Sequence, residues 1–286
     1  MTDSIDLREL QLLQLEIAKE LKRICDENDI DYFMIGGTLL GAVRHKGFIP
    51  WDDDMDFGMT VENYNKFIEI APHKLDKRFF LQTEESDRNY HNIFAKIRMN
   101  NTHMIEKVTD KQIIHNGIFI DVFPYDSATE KKVHSKYYMK KLKILSKMYF
   151  LKNGYNLNAI TEKKISRIVN RFLCKYPMST KQVKSKLYKL LKVNNKKQKE
   201  DYYIERDGTF NGNFVFPVSY FKQLDLLKFE DTYFKAPSRY DDYLKKAYGN
   251  YMEYPSKEER EKGHSIIKVK LDKEYQSFFK KENLDD

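Results

Sequence analysis

The sequence has few cysteines and no long apolar run. Its two cysteines, Cys25 and Cys174, lie far apart and have no further Cys or His at metal-ligand spacing, so neither a disulfide nor a zinc site is expected. Each lies on a predicted amphipathic helix, where a reduced thiol that is buried or half-buried is expected. No stretch of about 18 apolar residues predicts a membrane-spanning helix, and the first residues lack the basic start and apolar stretch of a secretory signal. These features predict a cytoplasmic protein.

The charge of the chain is unevenly distributed. Of its 286 residues, 33% are charged and 41% are hydrophobic, as in folded proteins with a core. Residues 130–200 hold 21 lysines and arginines against three acidic residues, although the formal net charge is only +8. This region predicts three lysine-rich helices whose outer faces meet either solvent, anionic lipid head groups or a phosphate-bearing glycan. Nucleic acid is not an expected partner because no recognisable binding motif accompanies the lysines.

Two consecutive glycines follow an apolar run at residues 32–35. Gly36 and Gly37 precede a short predicted helix at residues 39–44, for which Thr38 is the predicted N-cap. A Gly-Gly pair alone usually marks a tight turn. At the start of a helix, however, it exposes backbone N–H groups that can approach a phosphate.

Four aspartates within five residues come shortly after this helix: Asp52, Asp53, Asp54 and Asp56. A strand predicted at residues 54–59 places Asp54 and Asp56 on one face and the intervening apolar side chains in the core. Adjacent carboxylates repel each other unless a cation lies between them, and Mg²⁺ or Mn²⁺ suits oxygen ligands. An acidic cluster alone is usually a solvated loop. Its combination with the glycines and the apolar alternation favours metal-assisted phosphoryl transfer.

Further charged side chains occur within apolar strand patterns. A strand predicted at residues 117–124 contains Asp121, which is costly to bury unless it is paired or coordinates a cation. The alternative is a solvated carboxylate at the end of the strand. A strand predicted at residues 93–99 places Lys96 and Arg98 on one face. That face meets solvent, or it is the same face that carries the carboxylates. In the second case the two cations can neutralise a diphosphate.

Capping residues predict where the flanking helices start and end. Ser4 is the predicted cap of the first helix, and Thr60 caps a later helix that should end before Pro72. A C-terminal helix should start at Pro237 and end at Gly249.

The segments at residues 36–44 and 47–56 resemble the signature of the LicD family. This family includes bacterial phosphocholine transferases and the domain shared with fukutin and fukutin-related protein, and it belongs to the nucleotidyltransferase superfamily. The resemblance is strongest over residues 32–59, clear at 117–124 and moderate at 229–255. The lysine-rich middle of the chain shows none.

The resemblance implies a fold and a domain organisation. The expected fold is α+β, with a nucleotidyltransferase-like (polymerase β-like) mixed sheet flanked by helices and a lysine-rich helical insertion. The implied parts are a catalytic core at residues 1–129, a helical subdomain at 130–200 and a C-terminal segment at 201–286 that completes the domain.

The resemblance also implies a reaction. The expected enzyme moves phosphocholine or a polyol phosphate from a CDP-activated donor to a glycan hydroxyl and releases CMP, in the decoration of cell-surface polysaccharide or teichoic acid. A lipid-linked acceptor would bring the protein to the inner membrane face as a peripheral protein. Two alternatives remain: a nucleotidyltransferase that uses a nucleoside triphosphate and releases pyrophosphate, and a non-catalytic protein that binds glycan or membrane.

The resemblance finally assigns roles to residues of this sequence. Asp54, Asp56 and Asp121 are the expected catalytic ligands of Mg²⁺ or Mn²⁺, with Asp52 as a further ligand and Asp53 beside them. The expected substrate-binding residues are Gly36, Gly37, Thr38, Arg44, Trp51, Lys96, Arg98 and His264. For Trp51 the alternative is a core anchor, and for His264 it is a surface position.

Overall fold

The computed structural model describes residues 5–159, 164–191, 201–261 and 266–271. The helices in these ranges are α1 (Leu7–Glu27), α2 (Gly36–Arg44), α3 (Val61–Lys74), α4 (Glu130–Val133), α5 (Lys136–Lys152), α6 (Lys164–Lys175), α7 (Thr180–Leu191), α8 (Tyr240–Tyr248) and α9 (Lys257–Glu261). The strands are β1 (Phe33–Met34), β2 (Asp56–Thr60), β3 (Phe79–Gln82), β4 (Ala95–Met99), β5 (Thr102–Glu106), β6 (Phe119–Ala128), β7 (Tyr202–Glu205), β8 (Val215–Pro217), β9 (Leu224–Phe229), β10 (Thr232–Pro237) and β11 (Ile266–Leu271).

A mixed sheet of seven strands organises the described residues. Its order is β1-β2-β6-β4-β3, and β7 pairs with the second half of β6 and carries β8. Strands β2 and β6 are parallel, whereas the other pairs of this sheet are antiparallel. Strands β9 and β10 form a separate hairpin, and β5 pairs with β11. The mixed sheet with flanking helices confirms the predicted α+β fold.

Helix α1 packs against the sheet through an apolar stripe that includes the fully buried Ile17 and Leu21. Its N-cap is Asp6, whose carboxylate accepts from the N–H of Glu9, while the Glu9 side chain accepts from the N–H of Asp6. The predicted cap, Ser4, lies outside the described residues, and the cap prediction is wrong because this reciprocal pair starts the helix later.

Strand β2, which follows α2, begins two residues later than predicted. The ladder with β1 reaches only Met34, which lies opposite Phe57, so β2 starts at Asp56 rather than at residue 54. Asp54 belongs to the preceding segment, which has no regular secondary structure. The predicted core positions of Met55 and Phe57 are confirmed, since both side chains are buried.

Other helix boundaries confirm some predictions and correct others. Thr60 caps α3, as predicted, but the helix continues through Pro72 to Lys74 because the proline lies in its last turn, where a missing N–H costs one hydrogen bond. Pro237 ends β10 instead of starting α8, which begins at Tyr240. Gly249 ends α8 with a φ of +70°, as predicted.

The lysine-rich region forms the helices α4 to α7 within the described residues. Buried side chains of α5 and α7, such as Leu142 and Leu187, form a second hydrophobic core together with Ile204 of β7 and the nearby Phe210. This core attaches the helices to the sheet at β7. No helix in the described ranges combines the length and the apolar character needed to cross a membrane.

Helix α6 differs from the expectation that lysines fill the outer faces of these helices. Its apolar residues Ile165, Ile168 and Phe172 are exposed. Cys174 on the same helix is also exposed, so its predicted burial is wrong, whereas Cys25 is buried as predicted. The cause is that α6 packs on its neighbours through the narrow face that carries Asn170 and Leu173, and not through the face that carries these apolar residues.

Candidate active site

Three charged side chains lie in one row across the centre of the sheet. Asp56 of β2 is in register with Asp121 of β6, and Asp121 is in register with Lys96 of β4. Because residues in register on neighbouring strands point to the same face, the two carboxylates and the ammonium group lie together. Lys96 Nζ is 2.9 Å from Asp121 Oδ1 and 3.2 Å from Oδ2. The structure thus places Asp121 beside Asp56.

The segment before β2 carries a cluster of three further carboxylates. One carboxylate oxygen from each of Asp52, Asp53 and Asp54 lies within 4.8 Å of the others. Two buried glutamines of α1 hold the backbone of this segment: Gln11 Nε2 donates to the carbonyl of Asp52 at 2.9 Å, and Gln14 Nε2 donates to that of Asp53 at 2.9 Å. This role of the two glutamines was not predicted from the sequence. Their signal is two polar residues within the apolar stripe of α1.

The glycine pair allows carboxylates to contact the start of α2. A Cβ atom on Gly37 would lie 2.5 Å from Asp52 Oδ2, and one on Gly36 would lie 3.4 Å from Asp56 Oδ2. Gly36 also has a φ of +54°, which favours glycine. The N-terminal end of α2 therefore meets the aspartates directly, where its partial positive charge is favourable.

Thr38 does not cap α2, so the cap prediction is wrong. The helix starts at Gly36, its N-cap position is Ile35, and Thr38 lies within the first turn. The Thr38 hydroxyl instead accepts a hydrogen bond of 2.8 Å from the N–H of Asp56. Thr38 thereby fixes the start of β2 against the start of α2.

The carboxylates strongly affect one another. Burial raises the pKa of Asp54 well above its usual range, and repulsion from Asp52, Asp53 and Asp121 raises this pKa further. The pKa of Asp56 is likewise raised by burial and then by Asp54 and Asp121. Burial also raises the pKa of Asp121, an effect that Lys96 opposes. The cluster is consequently stabilised either by protons or by a cation.

Two further acidic residues border this site and were not predicted from the sequence: Glu205, which ends β7, and Asp207, which follows it. Burial, followed by the charge of Asp207, raises the pKa of Glu205 to about 8. The Tyr125 hydroxyl donates to Glu205 Oε2 at 2.6 Å. The available signal was the pattern Ile204-Glu205-Arg206-Asp207, in which acidic residues directly follow a short apolar strand.

Two cavities meet near the carboxylates. The first, the carboxylate cavity, has a volume of about 780 Å³, and its lining includes Arg44, Trp51, Asp54, Asp56, Glu205 and Tyr248. The second, the lysine cavity, has a volume of about 600 Å³, and its lining includes Lys96, Asp121, Lys143, Lys147, Phe150 and Tyr155. Asp207 borders both cavities. The aspartate row therefore lies between an acidic, aromatic space and a second space in which three lysines accompany the carboxylates of Glu106, Asp121 and Asp207.

Arg44 and Trp51 line the carboxylate cavity. Arg44 Nη1 donates to the carbonyls of Tyr251 at 3.0 Å and Glu253 at 3.4 Å, and its guanidinium lies 4.7 Å from the ring centre of Tyr254. Arg44 thus anchors the wall formed after α8. Trp51 is half-buried and borders both the cavity and the core. It therefore lies where it can contact a substrate and also where it packs as a core anchor, the two positions that the sequence predicted as alternatives.

The structure does not bring Arg98 to either cavity. Its guanidinium is buried, where Nε donates to Gln82 Oε1 at 2.6 Å and Nη1 donates to the carbonyl of Gly117 at 2.7 Å. It also lies over the ring of Phe119. These contacts make Arg98 part of the core beneath Lys96. His264 lies outside the described residues.

Comparison with known proteins identifies the family. Residues 29–158 match the model of the LicD/FKTN/FKRP nucleotidyltransferase domain. The chain is 30% identical over 276 residues to the lipopolysaccharide cholinephosphotransferase LicD of Haemophilus influenzae, an alignment that covers 91% of this chain and 96% of the relative. The chain belongs to the LicD family. This LicD-family protein also shares 40% identity over 48 residues with the human ribitol 5-phosphate transferase FKRP, which is 17% of the chain and 10% of the relative.

Membership confirms the family that the sequence predicted. It also confirms that the LicD-family protein is an enzyme of the class that transfers phosphorus-containing groups. The aspartate row and the glycine pair both lie within the matched residues 29–158.

Proposed function

We propose that this enzyme transfers a phosphocholine or polyol phosphate group from a CDP-activated donor to a hydroxyl group of a glycan and releases CMP. The observation that carries the proposal is the row of carboxylates beside the start of α2, where an acidic cavity meets a cavity that contains three lysines. The family relatives support the class of reaction, since one is a cholinephosphotransferase of lipopolysaccharide and another a ribitol 5-phosphate transferase.

The acidic side chains fit a hard divalent cation. They offer only oxygen ligands, and the pKa values of Asp54 and Asp56 are raised first by burial and then by mutual repulsion, which a cation would offset. Asp54, Asp56 and Asp121 would hold Mg²⁺ or Mn²⁺, with Asp52 as a further ligand. When bound, the ion would offset the negative charge of the diphosphate and of the departing phosphate.

The lysine cavity suits the nucleotide half of the donor. The ammonium groups of Lys143 and Lys147 meet phosphate there, and the rings of Phe150 and Tyr155 provide apolar surface for a base. In the transfer, the bond between the bridging oxygen and the phosphorus of the transferred group breaks. The electron pair stays with CMP, so negative charge grows on the side of the lysines, where it is stabilised.

The carboxylate cavity suits the transferred half of the donor. Its acidic residues, such as Glu205 and Asp207, repel a further anion but accept a cationic or hydroxyl-rich head group. Tyr248 and Tyr254 offer aromatic faces of the kind that bind quaternary ammonium groups.

The acceptor hydroxyl attacks the phosphorus atom at the row of carboxylates. Its oxygen forms the new bond to phosphorus, and its proton passes to the carboxylate of Asp121. Lys96 favours the ionised form of Asp121 that this role needs, because its positive charge opposes the effect of burial on the pKa. Thr38 and the glycines hold α2 so that its N–H groups face the diphosphate.

Product analysis tests the proposal. The purified protein is incubated with Mg²⁺, a glycan acceptor and either CDP-choline, CDP-ribitol or CTP. Release of CMP together with a phosphorylated glycan is the expected result. Release of pyrophosphate from CTP would instead identify a nucleotidyltransferase. If no nucleotide is converted and calorimetry detects no metal-dependent binding of a cytidine nucleotide, the protein is non-catalytic.

A further inference from the structure

Helix α6 carries an apolar stripe on the surface of the protein. Ile165 is 77% exposed, Ile168 is 68% exposed and Phe172 is 66% exposed. Their spacing of three and four residues aligns them on one side of the helix, and the exposed Tyr176 extends the stripe just beyond its end. Large apolar side chains that are exposed next to each other mark an interaction surface more often than isolated ones do.

A basic stripe runs beside the apolar one. Lys164, Arg167, Arg171 and Lys175 recur at steps of three and four residues and are all exposed. Because these positions lie about 100° around the helix from the apolar stripe, both stripes face outward together. Helix α6 contains no acidic residue, and the region around it is the lysine-rich part of the chain.

The third side of α6 fixes its orientation. Leu173 is buried in the second hydrophobic core, and Asn170 is 1% exposed and borders the lysine cavity. Lys147 of α5 lies 3.4 Å from the hydroxyl of Ser166. The protein therefore holds α6 by one narrow face and presents the other two outward.

We infer that α6 docks this enzyme on the surface of an anionic lipid bilayer. Exposed apolar residues beside lysines and arginines are the pattern of a helix that lies in the plane of the membrane interface. The positive charge selects a negatively charged surface over a neutral protein partner. The inference is independent of the proposed reaction, but it would place the lysine cavity, which α6 borders, close to lipid-linked molecules.

Vesicle sedimentation tests this inference. The full-length protein is mixed with vesicles of phosphatidylglycerol and phosphatidylcholine, or of phosphatidylcholine alone. Sedimentation with the anionic vesicles is expected, and it should weaken with rising salt because surface charges are screened. The double variant Ile168→Ser/Phe172→Ser should weaken binding by about tenfold or more, since two apolar side chains no longer enter the interface. Arg171→Gln/Lys175→Gln should weaken binding to the anionic vesicles only.

Matched controls separate docking from general surface effects. Ile113→Ser removes an apolar side chain that is 86% exposed elsewhere, and Lys141→Gln removes a cation from α5. Both should bind like the unchanged protein, and all variants should keep its melting temperature. Absence of sedimentation, or equal sedimentation of the double variant, would overturn the inference. So would light scattering that shows a dimer without vesicles and a monomer for the double variant, because a second copy would then cover the stripe.

Discussion

Asp56 and Asp121 lie directly opposite each other on the parallel strands β2 and β6. Their carboxylates share one face of the sheet, and the charge of Asp121 adds to the effect of burial in raising the pKa of Asp56 and of its neighbour Asp54. This relationship makes the site unstable when it holds neither protons nor a cation. The stability of the protein should therefore report on the occupancy of the site.

Replacement of Asp56 by asparagine should separate stability from activity. Without divalent ions at neutral pH, Asp56→Asn should melt at a higher temperature than the unchanged protein because one repelling charge is gone. Mg²⁺ should raise the melting temperature of the unchanged protein but have little effect on the variant. Transferase activity should fall by about a hundredfold or more. Thermal unfolding with and without Mg²⁺, followed by CMP release, measures both effects.

The exposed Asp110→Asn is the matched control, since it removes the same charge from a side chain that lines neither cavity. It should leave the response to Mg²⁺ unchanged. A variant Asp56→Asn that responds to Mg²⁺ as the unchanged protein does would show that Asp56 is not a ligand.

Glu205 should make the protein less stable at alkaline pH. Its pKa is raised from 4.5 to about 8 in the folded state, so the folded protein binds this proton more tightly than the unfolded chain does. The resulting stability is fully present below about pH 4.5 and is lost as the pH rises through about 8. Glu205→Gln keeps an oxygen acceptor for the Tyr125 hydroxyl but cannot titrate.

The free energy of unfolding, measured with urea between about pH 5 and pH 9, tests this expectation. The difference between Glu205→Gln and the unchanged protein should grow with pH by up to about 1.4 kcal/mol per pH unit. The exposed Glu85→Gln provides the control and should show no such trend. A difference that does not depend on pH would mean that Glu205 is already ionised in the folded state.

The buried pair of Lys96 and Asp121 should show strong coupling. Lys96→Met leaves the Asp121 carboxylate buried without its cation and should lower the free energy of unfolding by about 3 kcal/mol or more in the absence of metal. Adding Asp121→Asn should recover much of this loss, because the buried charge is then removed. Urea unfolding of the two single variants and the double variant measures the coupling. Additive effects would show that Lys96 stabilises the fold mainly through its other contacts, which are the ion pair with Glu106 at 3.6 Å and the ring of Phe119.

Local patterns in the sequence predict most of this site but not all of it. The alternation around Met55 and Phe57 correctly predicts a strand, and the apolar run around Asp121 predicts the next one. The pairing of these two strands depends on the register between residues far apart in sequence, which periodicity does not encode. Here the family resemblance supplied the expectation, and the structure places the two carboxylates accordingly.

Residues that act through tertiary contacts escaped prediction for the same reason. Gln11 and Gln14 interrupt an apolar stripe, but only the folded chain shows that they hold the backbone of Asp52 and Asp53. Arg98 follows the same alternation as Lys96, yet its neighbours in the core already accept its hydrogen bonds. Alternation predicts the face of a side chain and not what lies beyond that face.

Gly37→Ala should impair the site without unfolding α2. The added Cβ would lie 2.5 Å from Asp52 Oδ2, so the Asp52 carboxylate would have to move away from the helix start. Alanine favours a helix more than glycine does, so the melting temperature should stay equal or rise. Activity should fall by about tenfold, and Mg²⁺ should stabilise the variant less. Gly212→Ala is the control, because no atom lies within 4 Å of its added Cβ. Full activity of Gly37→Ala would show that the position of Asp52 does not matter.

The lysine cavity should bind CMP through its lysines. In the described part of the chain, Lys147 contacts the hydroxyl of Ser166 and forms no ion pair, so a phosphate would be its first anionic partner. Lys147→Ala should therefore weaken the binding of CMP by about tenfold, and Lys143→Ala should act in the same direction. Lys141→Ala, on a different face of α5, should bind CMP like the unchanged protein. Isothermal titration calorimetry with CMP, and separately with phosphocholine, measures these affinities. If Lys147→Ala weakened phosphocholine binding and left CMP binding intact, the donor would lie in the opposite direction, with its head group among the lysines.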